Sequence, residues 1–336
     1  MKRFFKKLGW FALPCFAIVA LVICLDFFKV FSDYEEYYSD DLFVSLNREY
    51  ICFKNLEKQA KLNKPDSFVF GSSRSQAFKC KDWQGYLTPL NRSFHFDAGN
   101  EAIVGVLYKL KYLDRNDFKI NNVLLVLDVG LLNQTSLKHR NYSLNISHPE
   151  ISDNSYYDFY KPFITASLNP KFVFSYFDFR TFGKHRKYMG QYIANTKYPM
   201  IMDESNMEIY YGKDLEIEND SIEFYKRTIK TGIFYDRSEK QYDSTEVNPE
   251  MVNQFQQIKS FFEKYKTSYK FVVSPMYDQI ELNKKYLSQL IKIFGKDNVF
   301  DYSGENQFTN SLGNFYEISH YRPHVARQIL KEIYNN

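Results

Sequence analysis

Five short apolar runs, at residues 67–70, 93–96, 123–129, 270–274 and 298–302, are separated by stretches whose apolar residues recur every three or four positions. Each run is β-branched or aromatic and bounded by Gly, Pro, Asn or Asp, which is how strands read. The intervening segments 101–113, 249–264 and 281–294 and the closing segment 322–334 read as amphipathic helices, with Val252, Phe255, Ile258, Phe261 and Phe262 forming one inner face. Strands alternating with helices argue for a parallel sheet covered on both faces. The expectation is therefore an α/β fold: a three-layer α/β/α, flavodoxin-like arrangement around a mainly parallel five-stranded sheet. At 336 residues, 44% hydrophobic and 25% charged, the chain is long and apolar enough to bury that core.

Residues 133–248 interrupt this rhythm with many Tyr, Asn, Asp and Ser and no internal repeat. So long a departure inside a regular α/β chain reads as a functional insertion, a cap or side arm over the carboxyl edge of the sheet, with a purely structural subdomain as the alternative. The division expected is residues 1–31 as basic tip and anchor, 32–63 as a helical connector and 64–336 as the main domain carrying the insertion. Aromatic residues make up 18% of the chain, enough to fill a core and also to line a groove for sugar or acyl groups.

The N-terminus is of another kind. Met1-Lys2-Arg3-Phe4-Phe5-Lys6-Lys7 precedes an uncharged run at residues 8–25, about the length of a bilayer-spanning helix. Positive charge before it and Asp26, Asp33, Glu35 and Glu36 after it predict a cytoplasmic N-terminus and an exported main domain. A cleaved signal peptide is the competing reading, against which stand the length of the run and the lack of a small-x-small site. A membrane bilayer, held through residues 8–25, is the first expected partner. The formal charge of +4 is scattered rather than gathered into a stripe, so nucleic acid is not among the expected partners. Cys52 and Cys80 alone lie outside the apolar run, which allows one pair and no disulfide framework. Without a CxxC or paired His spacing, neither a metal site nor a cofactor is expected.

Two segments carry chemistry. Phe68-Val69-Phe70-Gly71-Ser72-Ser73-Arg74-Ser75 runs an apolar strand straight into two serines. Ligands of open α/β sheets bind beyond the carboxyl ends of strands, where the first N–H groups of the next helix can stabilise an oxyanion. Helix capping is the plainer role for such serines. Asn314-Phe315-Tyr316-Glu317-Ile318-Ser319-His320-Tyr321-Arg322-Pro323 lies just before the last helix. A serine hydroxyl needs a base, and the base needs a carboxylate to hold its tautomer; His320 and Glu317 could supply both from one turn.

Gly71-Ser72-Ser73-Arg74 near the start and Glu317-Ile318-Ser319-His320 near the end, in that order across residues 66–334, resemble the nucleophile and Asp-x-x-His blocks of SGNH or GDSL-type hydrolases. The look is nearest to the membrane-anchored branch that acylates or deacylates envelope polymers, including the D-alanine transfer and alginate acetylation proteins. The resemblance implies Ser73 as nucleophile, His320 as base and Glu317 as its orienting acid, with Asp301 as a fallback carboxylate. It implies an extracytoplasmic serine esterase or O-acyltransferase acting on acyl, above all acetyl, esters of surface polysaccharide. A surface glycan or acyl ester and a membrane-bound O-acyltransferase are the partners that follow. Two departures stand out. Glu317 occupies the place of the family's Asp, and Leu127-Asp128-Val129-Gly130 lacks the family's Gly-x-Asn-Asp. Gly99, Asn100 and Arg74 are the candidates for the oxyanion and substrate-binding groups. Those departures also motivate a different reading, a catalytically silent, membrane-tethered scaffold that binds glycan and assists a separate acyltransferase.

Overall fold

The structure is a computed structural model, and it describes residues 1–38, 43–132, 134–137, 144–194, 200–237 and 240–335, with the side chains at positions 2, 5, 6, 8, 15 and 191 also outside the described set. The chain begins with helix α1 (Lys2–Leu25) and, after an irregular stretch, α2 (Arg48–Leu62). The expected connector at 32–63 is thus helical only in its second half, and residues 39–42 lie outside the description. It is also no free-standing linker. Tyr50, Ile51, Phe53 and Leu56 of α2 are buried in the main core.

Strand β1 (Ser67–Gly71) is followed by α3 (Cys80–Gln84), β2 (Ser93–His95), α4 (Ile103–Arg115), β3 (Asn122–Leu127) and the single turn α5 (Val129–Leu132). The insertion supplies α6 (Tyr156–Ser167), α7 (Pro170–Phe182), the hairpin β4 (Ile201–Asp203) and β5 (Glu208–Tyr210), α8 (Gly212–Asn219) and α9 (Ser221–Lys230). The remainder is α10 (Pro249–Tyr265), β6 (Ser268–Val273), α11 (Lys284–Phe294), β7 (Val299–Asp301), the hairpin β8 (Phe315–Glu317) and β9 (His320–Tyr321), and α12 (Pro323–Asn335).

The central sheet has five strands in the order β2-β1-β3-β6-β7, every neighbouring pair parallel. Side chains alternate across it. Phe68, Phe70, Val123, Leu125, Leu127 and Phe271 face one core with α4, α10 and α11, while Val69, Leu124, Val126 and Val272 face the other with Val325, Ile329 and Ile333 of α12. Both faces being covered, the strands read as unbroken apolar runs. Local chemistry sets the helix starts: Asn248 ahead of Pro249 and Asn283 ahead of Lys284 accept N–H groups of Glu250 and Lys285 at 2.9 Å.

One expectation needs correction. Residues 8–25 lie inside α1, yet among the described residues no helix is long and apolar enough to cross a membrane, so the structure does not support the expected transmembrane helix. The insertion, expected as a cap or side arm over the carboxyl edge of the sheet, is described in part, and its described pieces go to three places. Its α6–α7 hairpin packs near α1. At the β4–β5 hairpin, the Asn206 carbonyl accepts the His95 N–H at 2.9 Å and so covers the edge of β2. Helices α8 and α9 reach the β8–β9 hairpin, where Tyr225 donates to the carbonyls of Gly313 and Phe315 at 3.2 and 3.1 Å. The three pieces thus pack against three different partners: α1, the edge of β2 and the β8–β9 hairpin. Cys52 and Cys80 are both buried free thiols rather than a pair.

Candidate active site

The centre of the sheet ends in a glycine for a steric reason. Gly71 has φ +148°, and a Cβ there would lie 2.6 Å from the Val126 carbonyl oxygen and 3.0 Å from Ser75 Cβ. With that room, β1 turns at once into a 3₁₀ turn over Ser73–Ala77, closed by the Ser75 N–H and Oγ on the Ser72 carbonyl at 2.9 and 2.8 Å. Ser73 therefore stands at the second position past the strand and the first of the turn, with Ser72 as its cap. Because β1 lies between β2 and β3, this is where the strand order reverses and a crevice opens.

Asp128 holds the turn from the neighbouring strand. Gly71 pairs with Val126, so the residue two beyond, Asp128, lies alongside the serines. Its buried carboxylate accepts the Ser72 hydroxyl at 2.5 Å, the Arg74 guanidinium at 3.0 Å and the Leu131 N–H at 2.9 Å. The sequence singles out this position only for the asparagine it lacks; the signal it does carry is a carboxylate one step past a strand in register with β1. Gln76 ties the turn's far end to buried Asp97 at 2.8 Å, and Asp97 in turn takes a two-pronged Arg48 at 2.7 and 2.6 Å. Burial pushes the Asp97 carboxyl up, but Arg48 and the hydrogen bonds outweigh it and bring it down to about 2.

His320 comes from the β8–β9 hairpin, in which Glu317 and His320 face each other across the two-residue turn Ile318-Ser319. Its Nδ1 meets Glu317 Oε1, and its Nε2 lies 2.7 Å from Ser73 Oγ. The second oxygen of Glu317 accepts the Ser319 N–H at 2.9 Å. A carboxylate only accepts, so the Nδ1 proton belongs to this bond, leaving Nε2 free to accept the Ser73 hydroxyl. Burial is the largest influence on Glu317 and raises its pKa, but the hydrogen bond and charge of His320 and the Ser319 N–H bring it below the ordinary glutamate value. The extra methylene of Glu relative to Asp is absorbed by this short turn. The imidazole is not sealed away: the His320 and Glu317 side chains are 33% and 22% exposed.

The insertion braces the hairpin. Asp214 accepts the Tyr316 hydroxyl and, at 3.2 Å, Arg322 Nε, so the residues flanking Glu317 and His320 are fastened to α8. Tyr211 at the head of α8 donates to Gln76 and joins the brace to the serine turn. Tyr321 is buried, with its hydroxyl 3.3 Å from Ser274 Oγ at the end of β6. A cavity of about 430 Å³ lies beside the brace, lined by Lys79, Tyr210, Tyr211, Asp214, Arg322 and His324, but neither Ser73 nor His320 lines it.

The remaining candidates fare differently. The segment holding Gly99 and Asn100 reaches the end of β1 through the Ala98 N–H on the Gly71 carbonyl at 3.2 Å. Gly99 has the Asn145 side chain where a Cβ would go, with Nδ2 2.8 Å from that position, and Asn100 turns with φ +53° toward α4. Arg74 is committed to Asp128 rather than directed to an oxyanion. Asp301 is not the partner of His320; at the end of β7 it is exposed and accepts the Ser303 N–H at 2.9 Å, closing its own turn. No protein-family model matches the chain, and no curated protein or solved structure is significantly similar to it.

Proposed function

We propose that the chain is a serine esterase or O-acyltransferase of the flavodoxin-like SGNH type, acting on acyl esters of an extracytoplasmic glycan while α1 holds it to a membrane. The observation that carries the reading is the hydrogen-bonded series Ser73 Oγ, His320 Nε2, His320 Nδ1, Glu317, assembled from segments 247 residues apart at the crevice of the sheet. In this reading Ser73 Oγ attacks the acyl carbonyl as its proton passes to His320 Nε2, and Glu317 stabilises the imidazolium. The oxyanion is assigned to the N–H groups of Ser73 and Gly99. Collapse of the tetrahedral intermediate expels the alcohol with the proton from His320 and leaves an acyl-Ser73 ester. Water or a sugar hydroxyl, deprotonated by the same nitrogen, then takes the acyl group.

A half-buried imidazole that solvent still reaches admits either acceptor, and a tethered domain meets a membrane-bound donor or polymer at high effective concentration. The apolar side chains of Phe11, Leu13, Phe16, Ile18 and Leu21 are exposed along α1, which supports the tether. The test is labelling of the full chain by a fluorophosphonate probe. Wild type labels and Ser73→Ala does not; equal labelling of the two removes Ser73 as the reactive group. Hydrolysis of p-nitrophenyl acetate, lost in a folded His320→Ala variant, separates an enzyme from a silent scaffold.

A further inference from the structure

Helix α7 is apolar on more faces than its own packing needs. Phe172 and Ser175 are buried and Tyr176 and Phe179 pack against the core, yet Phe174, Phe177 and Phe182 are 63%, 46% and 65% exposed. Apolar surface beyond the stripe a helix buries in its own core is satisfied by a second apolar environment. Three exposed phenylalanines on one short helix form a patch rather than scattered surface residues.

Position and charge say which environment. Phe27, two residues past the end of α1, packs its ring on Phe172, Tyr176 and Phe177 of α7 at centroid separations of 5.3, 4.7 and 6.2 Å. Phe28 continues the contact by stacking on Phe172 at 5.2 Å. The apolar surface of α7 is therefore continuous with the C-terminal end of α1. Across residues 156–188 there are twelve Phe or Tyr, six basic and two acidic residues, and both acids have partners: Asp158 accepts from Ser155 and Asp178 from Arg186. Lys161 lies over the Tyr157 ring and Lys171 over the Tyr192 ring at 5.1 and 5.8 Å, and Lys184 and Lys187 follow the end of α7 in the chain. Exposed Phe and Tyr rimmed by lysine are what a headgroup region accepts: rings at the acyl boundary and ammonium groups on lipid phosphates.

We propose that the α6–α7 hairpin is a second membrane contact, its Phe174, Phe177 and Phe182 face seated in the bilayer interface beside α1. The proposal rests on the reading of α1 as the tether. It assigns the first half of the insertion to fixing how the domain stands on the membrane, leaving the α8–α9 half to brace the His320 hairpin. A free tether would let the crevice point anywhere; two contacts set its height and direction relative to a lipid-linked substrate.

The test uses the full chain in vesicles of phosphatidylcholine and phosphatidylglycerol at three to one, with or without acyl-brominated phosphatidylcholine, which quenches tryptophan at the boundary. On a Trp10→Phe background the remaining Trp83 is buried and constant. Reporters are Phe16→Trp for the tether, Phe177→Trp and Phe174→Trp for the hairpin, and Lys331→Trp on α12, which covers the opposite face of the sheet. Brominated lipid is expected to quench the first three reporters and spare Lys331→Trp. Quenching of Phe16→Trp with neither hairpin reporter quenched overturns the second contact and leaves the tether standing. Hairpin reporters unquenched by lipid but shielded from soluble acrylamide would assign the face to a second copy and overturn the proposal. No quenching at any position overturns the tether and the hairpin contact together.

Discussion

Replacing Glu317 by Gln tests the site most sharply, since it keeps the volume and changes only what the side chain can accept. Glu317 now serves two donors, His320 Nδ1–H and the Ser319 N–H at 2.9 Å. An amide has one accepting oxygen and one donating nitrogen. If the oxygen faces Ser319, the amide NH₂ faces Nδ1 and favours the tautomer with its proton on Nε2. That nitrogen then points a proton at Ser73 Oγ and cannot take one. If the amide flips, NH₂ opposes the Ser319 N–H and loosens the turn that presents His320. Loss of the correct tautomer in a buried triad costs about 10⁴ in rate. Here the pair is 33% and 22% exposed, so water can partly replace the carboxylate. The expected loss is therefore about 10²–10³, or about 3–4 kcal/mol of transition-state stabilisation. The assay is the second-order rate of fluorophosphonate labelling at Ser73, at fixed pH, on protein whose circular dichroism matches wild type. Glu317→Asp, which retracts the carboxylate by a methylene, is expected to lose about 10²-fold through misplacement alone. A Glu317→Gln rate within threefold of wild type would refute the role of Glu317 in holding His320.

Three further outcomes follow from the same contacts. Asp128→Ala leaves the Arg74 guanidinium without its buried carboxylate and frees Ser72; a loss of about 3–5 kcal/mol in urea unfolding is expected, and a loss under 1 kcal/mol contradicts the bracing role. Gly71→Ala adds a methyl 2.6 Å from the Val126 oxygen at φ +148°, so both the melting temperature and Ser73 labelling fall together; full labelling in a folded variant would contradict the need for glycine there. His95 is buried beneath the turn, and burial lowers its pKa to about 4 from an unfolded value near 6.5. Between those values the unfolded chain binds a proton that the folded chain refuses, so stability is full above pH 6.5 and declines as pH falls toward 4. At pH 4.5 this amounts to about 2–3 kcal/mol relative to pH 7.5, measured as the part of the urea-midpoint shift that His95→Gln removes.

Much of this architecture is local enough to be legible in the chain. The five strands, the helices at 101–113, 249–264, 281–294 and 322–334, and the serine at the end of β1 follow from apolar periodicity and from where glycine interrupts it; the observed elements differ from those spans by a few residues. Short patterns of this kind depend only on which side chains must leave water. The partners of each chemical group depend on register and packing between distant segments. Periodicity could not say that Asp128 would be drawn beside Ser72 and Arg74 by the pairing of Gly71 with Val126, nor that Asp301 would close its own turn instead of reaching His320. It could not divide residues 133–248 into a hairpin against α1, a cover for the edge of β2 and a brace on the β8–β9 turn. What the sequence alone determined is the succession of elements and the chemical types at their ends, because burial and backbone geometry act over a few residues. What only the tertiary structure decided is the 2.7 Å approach of His320 to Ser73 and the short reach of Glu317 to the imidazole, because hydrogen bonds are made by whichever groups the packed sheet brings within reach.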